Sequence, residues 1–347
     1  MKNNSTSSKK RIILWTLLGF VTVLLIFSIS AYIYIQSKLN LINRNSDVAV
    51  VNPEDEFFEE DTIDGEIEGE VLNPEDIEWP EDDGGDDITK PDENIINILL
   101  IGQDRRPGEG RARSDSMMIA SMNKKNGSIK LISLMRDMYL QIPGYSDNRI
   151  NTAYLFGGMK LLNEVIEKNF HVHIDGNIEV DFEGFIKGID IIGGVDISIT
   201  SKEATHLRNR GFSNLKAGMV HMDGKLALAY SRIRKIGDDF GRTQRQRNVI
   251  LAAVRKIKDS SISDVMALAN KVLPLVTTDM TNAQLLDLAN KALSMNLDNI
   301  EQYRIPVDGS YRDAWIRGML VLVPDLEINR QELKKIIYDQ TETFPTP

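Results

Sequence analysis

The chain reads as an α/β domain, layered α/β/α around a central mixed sheet and preceded by one transmembrane helix. Three observations carry that reading. Short β-branched runs at Ile95–Ile101, Met117–Met122 and Ile129–Leu134 have the length and composition of buried strands. Beyond them, strand-like runs alternate with stretches whose apolar residues recur every three or four positions, the alternation that covers a sheet with helices. Ahead of both, Ile12–Ile35 contains no charged residue at all.

That first run is long enough, at about 1.5 Å per residue, to cross a hydrocarbon core of about 30 Å. A secretory signal has an apolar region of about 7–15 residues and a small-residue cleavage site. This run is longer and continues into Ala31-Tyr32-Ile33-Tyr34-Ile35. Lys2, Lys9, Lys10 and Arg11 precede it, so residues 1–11 are expected to remain as a short cytoplasmic tail, with everything after Gln36 outside the cell membrane. Residues 36–93 follow as a linker. Its stretch from 47 to 93 carries one lysine against 21 acidic residues, with Pro53, Pro74, Pro80, Pro91 and Gly84-Gly85. Self-repulsion and scarce apolar residues predict an extended, solvated spacer there.

The formal charge of −10 therefore describes the linker more than the domain, because residues 94–347 carry 34 basic against 30 acidic side chains. The absence of cysteine excludes disulfides, thiolate metal sites and cysteine nucleophiles, and four histidines argue against a histidine-rich zinc centre. Within residues 94–347, Gly157–Asn169 is predicted helical, Ile178–Val180 a short strand, Phe182–Ile192 a helix and Val195–Ile199 a strand. Gly224–Tyr230 is predicted helical and leads into the charged stretch Ser231–Arg247. Three amphipathic helices are expected at Val249–Ile257, Ile262–Leu275 and Ala283–Leu293. Strands near Tyr303–Pro306 and at Met319–Val323 and a helix from Asn329 close the domain.

Charge sits at the ends of the three opening strands. Asp104 and Arg106 follow the first, Arg113 and Asp115 precede the second, and Arg136 and Asp137 follow the third. If these strands are neighbours, all six meet at one rim, where sites form in α/β folds. Two carboxylates among arginines suit a divalent cation bridging to phosphate oxygens. A second cluster holds Arg232, Arg234, Lys235, Arg242, Arg245 and Arg247. Isolated basic residues are usually solvated. Here Arg232 and Arg234 share a side if the chain is extended, while Arg242, Arg245 and Gln246 share a helical face. Arginine's planar fork suits bidentate phosphate recognition.

These residues fall into an ordered series: Gly102-Gln103-Asp104-Arg105-Arg106, Arg113-Ser114-Asp115, Met135-Arg136-Asp137, Arg232-Ile233-Arg234 and Asp239-Phe240-Gly241-Arg242-Thr243-Gln244-Arg245-Gln246. Ile142-Pro143-Gly144-Tyr145, Arg149-Ile150-Asn151-Thr152-Ala153-Tyr154 and Ile192-Gly193-Gly194-Val195-Asp196 lie between them. The series resembles the LytR-CpsA-Psr (LCP) family from about residue 94 to residue 250. Met135 stands where the family has proline and Arg247 where it has glutamine.

The resemblance implies a membrane-bound, extracytoplasmic phosphotransferase. It would move an anionic glycopolymer (teichoic acid, capsule or a related wall polymer) from an undecaprenyl-pyrophosphate carrier to peptidoglycan, with hydrolysis of the pyrophosphate as a side activity. It further implies Mg²⁺, or Mn²⁺ in its place, on Asp104 and Asp115. Arg106, Arg113, Arg136, Arg232, Arg234, Arg242 and Gln246 would bind the pyrophosphate. Arg113, Arg136, Asp137 and Asp239 are the catalytic candidates. Asp137 and Asp239 are read as orienting groups, since carboxylates beside arginines are expected to stay ionised and weakly basic. Two other classes use the same residues. A nonenzymatic carrier-binding envelope protein differs by lacking turnover, and nucleic acid is excluded as a partner because the basic patch would face away from the genome.

Overall fold

A computed structural model describes residues 28–44, 70–80, 92–105, 110–292 and 294–339. Helix α1 (residues 28–39) contains the end of the predicted span, whose residues 12–27 lie outside the described set. Among the described residues no helix is long and apolar enough to cross a membrane.

Strands β2 (Ile95–Gln103), β3 (Ser114–Asn123) and β4 (Ser128–Leu134) form an antiparallel centre. Two later strands flank it in parallel: β7 (Gly176–Asp181) beside β2 and β11 (Ile300–Ile305) beside β4. The short β10 (Thr277–Thr278) closes the β7 edge, giving the order β10-β7-β2-β3-β4-β11. The mixed sheet expected from the strand runs is present. Its register brings the end of β2, the start of β3 and the end of β4 to one rim, because consecutive strands run antiparallel.

Both sheet faces are buried, which is why the opening runs are mostly apolar rather than strictly alternating. Leu99, Ile119 and Ile132 lie side by side across β2, β3 and β4, each fully buried, on the face covered by α2 (Ile150–Phe170) and α9 (Leu326–Tyr338). Ile96, Ile98, Met122 and Ile129 face the other way, against residues of α8 (Asn282–Ala292). That face is also flanked by a second core, built from α3 (Phe182–Ile191), β8 (Val195–Ile199), α4 (Ser201–Asn209), β9 (Gly218–Met222), α5 (Gly224–Ser231) and α6 (Asp238–Lys258). The result is the expected three layers.

Several boundaries differ for identifiable reasons. Helix α2 begins at Ile150 rather than Gly157, with Gly158 at φ 65° breaking it where glycine alone is at ease. The part of the charged stretch from Asp238 onward runs into the helix expected at Val249–Ile257 as one helix, α6. Its Arg242 and Arg245 pair with Asp239 and Glu203, so charge does not interrupt it. The helix expected over Ile262–Leu275 is α7 (Ile262–Val272) followed by a 3₁₀ turn, Leu273–Leu275, which holds Pro274. Strand β8 pairs with β9 as a separate ribbon.

The spacer reading is corrected in part. Residues 70–80 are docked: β1 (Glu70–Val71) pairs in parallel with β12 (Tyr311–Ile316), which in turn pairs with β13 (Met319–Pro324). Trp79 stacks on the buried Tyr139 at 6.5 Å between ring centroids and donates to Asp147 Oδ2 at 2.8 Å. An apolar ring in an acidic stretch finds its burial on the domain.

Candidate active site

The rim holds the residues anticipated at the strand ends. Asp104 follows β2, and Asp115 is the extra residue of a β-bulge: Gly102 pairs with Ser116 and Gln103 with Ser114, leaving Asp115 unmatched. A bulge re-aims a side chain that regular pleating would direct elsewhere. The local backbone is braced by Gln103, whose side chain donates to Glu179 on β7 and accepts from the Ala112 amide at 3.2 Å. Tyr154 of α2 donates to the other oxygen of Glu179.

Arg136 and Asp137 follow β4. Arg136 Nη1 donates to Asp115 Oδ1 at 3.0 Å, and its Nε lies 3.4 Å from Asp137 Oδ2. Burial opposes the Arg136 charge, but Asp137, Asp239 and Asp115 more than offset it, so its pKa rises and it stays cationic. Asp137 also meets Arg149 Nε at 3.6 Å, and Arg149 donates to the Leu320 carbonyl at 2.7 Å. Asp137 is thus held between two guanidinium groups. Arg113 is half-buried at the start of β3. Arg106 lies outside the described residues.

The second cluster arrives on the connection from α5 to α6. Arg232 and Arg234 are exposed on one side while Ile233 between them is buried. Arg232 closes α5 instead of continuing as a strand, yet the buried Ile233 gives the same-side display expected of extended chain. Arg232 Nη2 donates to Asp104 Oδ2 at 3.4 Å and its guanidinium lies 4.5 Å from the Phe182 ring centre, joining the two sequence clusters directly. Arg242, only 3% exposed, donates to Asp239 Oδ2 at 2.7 Å, and its buried Nε has no hydrogen-bond partner. Burial lowers its pKa to about 10, with Asp239 opposing and Arg136 and Arg234 adding, which leaves it charged at neutral pH.

Asp239 departs from the expectation of a weakly basic carboxylate. Burial pushes its pKa above the ordinary value; Arg242 pulls the other way, Asp137 adds to the rise and Arg136 opposes it. Arg245 also departs from the helical-face reading. It turns from the site to pair with Glu203 at 2.7 Å and donates to the carbonyls of Ile233 and Ile236 at 3.0 and 2.6 Å. It therefore fixes the turn that presents Arg232 and Arg234. Gly241 permits this packing, since a Cβ there would lie 2.6 Å from the Ile236 carbonyl. Arg247 is likewise structural, donating to Ser133 on β4 at 2.6 Å.

Behind these groups lies a cavity of about 240 Å³. Its mouth is formed by Asp115, Ser231, Arg232, Arg234, Arg242 and Gln246. Its body is apolar: Leu100, Met118, Ile178 and Val180 from the sheet, Phe182 and Phe185 from α3, Leu228 from α5, Val249 and Ile250 from α6. The three amphipathic helices expected from Val249 onward read in the sequence as core by default, with a lipid-chain groove as the alternative, and of them α6 lines the hollow through Val249 and Ile250. Residue periodicity cannot distinguish the two.

Among the described residues no group of three or more acidic or histidine side chains gathers to hold a metal. The pair Asp104 and Asp115 fits a hard cation that takes its other ligands from water and phosphate, since Mg²⁺ is commonly held by one or two carboxylates. Both carboxylates sit at the arginine rim. Sequence reasoning missed the supporting shell of Arg149, Glu203 and Glu179. For Glu203 a signal existed: Thr200-Ser201-Lys202-Glu203 is a capping box, and the structure forms it at the start of α4.

The LytR_cpsA_psr family model matches residues 72–337. A protein of Bacillus mycoides named polyisoprenyl-teichoic acid–peptidoglycan teichoic acid transferase TagU is 38% identical over 218 residues, 62% of this chain and 69% of the relative. The Oceanobacillus iheyensis protein of the same name is 33% identical over 254 residues, 69% of this chain and 74% of the relative. Among solved structures, TagT bound to LI-WTA gives a TM-score of 0.59 at 25% identity, covering 71% of this chain and 90% of that one. TagV of B. subtilis gives 0.57 at 27% identity, covering 73% and 100%. With a family match over most of its length and relatives that share its mixed α/β fold, the chain belongs to the LytR_cpsA_psr family.

Proposed function

We propose that the protein is a membrane-anchored phosphotransferase that moves an anionic glycopolymer from an undecaprenyl-pyrophosphate carrier onto peptidoglycan. The observation that carries this is the amphipathic cavity: an apolar body with Arg232, Arg234, Arg242 and Gln246 at its mouth. A polyprenyl pyrophosphate has the same polarity, an apolar chain ending in a compact polyanion. The transferase names of the relatives support the reaction and favour teichoic acid as cargo.

In the proposed step a peptidoglycan hydroxyl attacks the phosphorus that bears the glycan. A new P–O bond forms, the pyrophosphate P–O bond breaks, and polyprenyl phosphate leaves. Phosphoryl transfer depends chiefly on positioning and on neutralising charge. Arg232 and Arg234 hold the pyrophosphate from the α5–α6 connection, and Arg242 offers its spare buried Nε. Arg136 and Arg113 contribute charge from the sheet side. Mg²⁺, or Mn²⁺, on Asp104 and Asp115 supplies further neutralisation of phosphate charge when bound. Asp239, whose pKa burial raises, is the proposed proton acceptor for the incoming hydroxyl, and Asp137, held by Arg136 and Arg149, orients Arg136. Attack by water in place of the hydroxyl gives the pyrophosphatase side reaction.

The test incubates the full chain with Mg²⁺, a defined polyprenyl-pyrophosphate glycan and peptidoglycan, and reads the linkage by mass spectrometry. A phosphodiester-linked adduct is expected. Carrier binding without an adduct would overturn the transferase and leave a carrier-binding protein.

A further inference from the structure

Helix α1 ends bonded to the domain. Asn282, the first residue of α8, donates from Nδ2 to Gln36 Oε1 at 2.8 Å and to Asn40 Oδ1 at 2.7 Å, and its Oδ1 accepts from Arg44. Asn43 bridges to Thr277 of β10 in parallel: the Asn43 amide donates to the Val276 carbonyl, and the Thr278 amide donates to the Asn43 carbonyl, each at 3.0 Å. Its side chain donates to the Pro274 carbonyl at 2.9 Å. Ile42 beside it is buried. A free tether would leave these groups to water; here backbone and side chains from residue 36 to residue 44 are held at several points.

The apolar run closes at Ile35, and the next residue, Gln36, is already docked. No slack remains between the end of the span and the domain, since neighbouring helical residues are about 1.5 Å apart along the axis. We propose that the domain edge formed by the 3₁₀ turn Leu273–Leu275, β10 and the first turn of α8 is held against the lipid headgroup layer, which fixes the orientation of the domain on the bilayer. This rests on the anchor reading of Ile12–Ile35. The acidic stretch leaves one docked point at residue 44 and reaches another at Glu70, so its length does not set the height of the domain. The same edge adjoins the cavity. A Cβ at Gly184 of α3 would lie 3.0 Å from the Leu275 carbonyl, so the 3₁₀ turn packs on the helix whose Phe182 and Phe185 wall the hollow. The proposed lipid-facing edge thus lies next to a wall of the carrier cavity.

The chain has no cysteine, so single-cysteine labels are clean. Full-length protein is inserted into phosphatidylethanolamine–phosphatidylglycerol vesicles with a nitroxide quencher on the lipid headgroup. Fluorophores are placed at Ala283→Cys in α8 or Asn299→Cys just before β11, both exposed positions. Six strands at about 4.8 Å put the two edges roughly 24 Å apart. Quenching at position 283 is expected to exceed that at 299 several-fold. Asn43→Pro with Asn282→Ala, which removes the bridge donor and the side-chain hub, should bring the ratio close to one. Deletion of residues 47–68 should leave it unchanged. Equal quenching in the unaltered chain, or a ratio that follows the deletion and ignores the docking substitutions, overturns the proposal. Protein extracted from the vesicles by alkaline carbonate would overturn the anchor reading itself, a result separate from loss of orientation in inserted protein.

Discussion

Arg136 reaches the site from the end of β4 and Arg232 from the end of α5, nearly a hundred residues later, and each bonds a carboxylate at the same rim. If both then grip one pyrophosphate, Arg→Lys at either position keeps the charge and loses the planar fork. Turnover should fall about 10- to 100-fold for each, the equivalent of the ~1.5–3 kcal/mol of a hydrogen bond to a charged group. The double variant should fall by less than the product of the two. Arg208→Lys, on the exposed Arg208 of α4, is the control and should leave turnover unchanged. Full additivity, or an equal loss at Arg208, would show that the clusters act apart. Asp239 gives a pH test. Its raised folded pKa favours the folded state at pH below the ordinary carboxylate value and loses that contribution as pH rises through the raised value. Asp239→Asn stays neutral, so the melting temperature of the unaltered protein should fall relative to the variant as pH rises above the ordinary carboxylate value of about 4. The opposite slope would mean that Arg242 dominates the Asp239 carboxyl. The carboxylates and arginines of the site were legible because each belongs to a short charged motif beside an apolar run. The direction of the Asp239 shift was not, because it depends on burial supplied by distant residues.

Helix α4 illustrates what an element contributes beyond its own segment. Thr200 caps its start and Glu203 closes the capping box, and the same Glu203 carries Arg245, which holds the carbonyls of Ile233 and Ile236. Removing one partner of a buried ion pair costs about 3–5 kcal/mol. Glu203→Gln should therefore lower the melting temperature and also raise KM for the polyprenyl-pyrophosphate donor more than it lowers kcat, because the turn bearing Arg232 and Arg234 loosens. Thr200→Ala weakens the cap but leaves the Glu203–Arg245 pair, so it should cost only about 1 kcal/mol of stability and leave KM in place. Identical KM changes in the two variants would assign Glu203 to the cap alone. In the sheet, Ile119→Ala between Leu99 and Ile132 should destabilise by about 2–5 kcal/mol, read as a denaturation midpoint, since it empties a fully buried position. The three opening strands of the main sheet were legible because both faces are buried and the runs are largely apolar. Helix α4 was not, because most of its residues are exposed, and the short strands β9 and β12 were not, because tertiary pairing, rather than pattern, holds them in place.

Taken whole, the chain is asymmetric in charge: a basic amino-terminal flank, an acidic stretch, and a domain with a small basic excess. The flank predicts orientation, because lysine and arginine beside a span remain cytoplasmic. In the proposed orientation the arginine mouth is expected outside the cell, where wall polymer and peptidoglycan are found and nucleic acid is not. Protease added to intact cells stripped of their wall should remove the domain after residue 94, and the amino-terminal tail should stay protected until the membrane is breached. Two docked segments sharpen that expectation. The chain after α1 is bonded to β10 and α8, and residues 70–80 are paired with β12 and packed on Tyr139. Backbone held in this way resists cleavage, since a protease needs several residues of accessible extended chain. First cuts should therefore fall between residues 45 and 69 or between 81 and 91. A first cut within residues 36–44 would mean that the anchor's end is not docked on the domain. Protection of the whole chain until detergent is added would reverse the topology, and with it the claim that an extracellular polymer is the substrate.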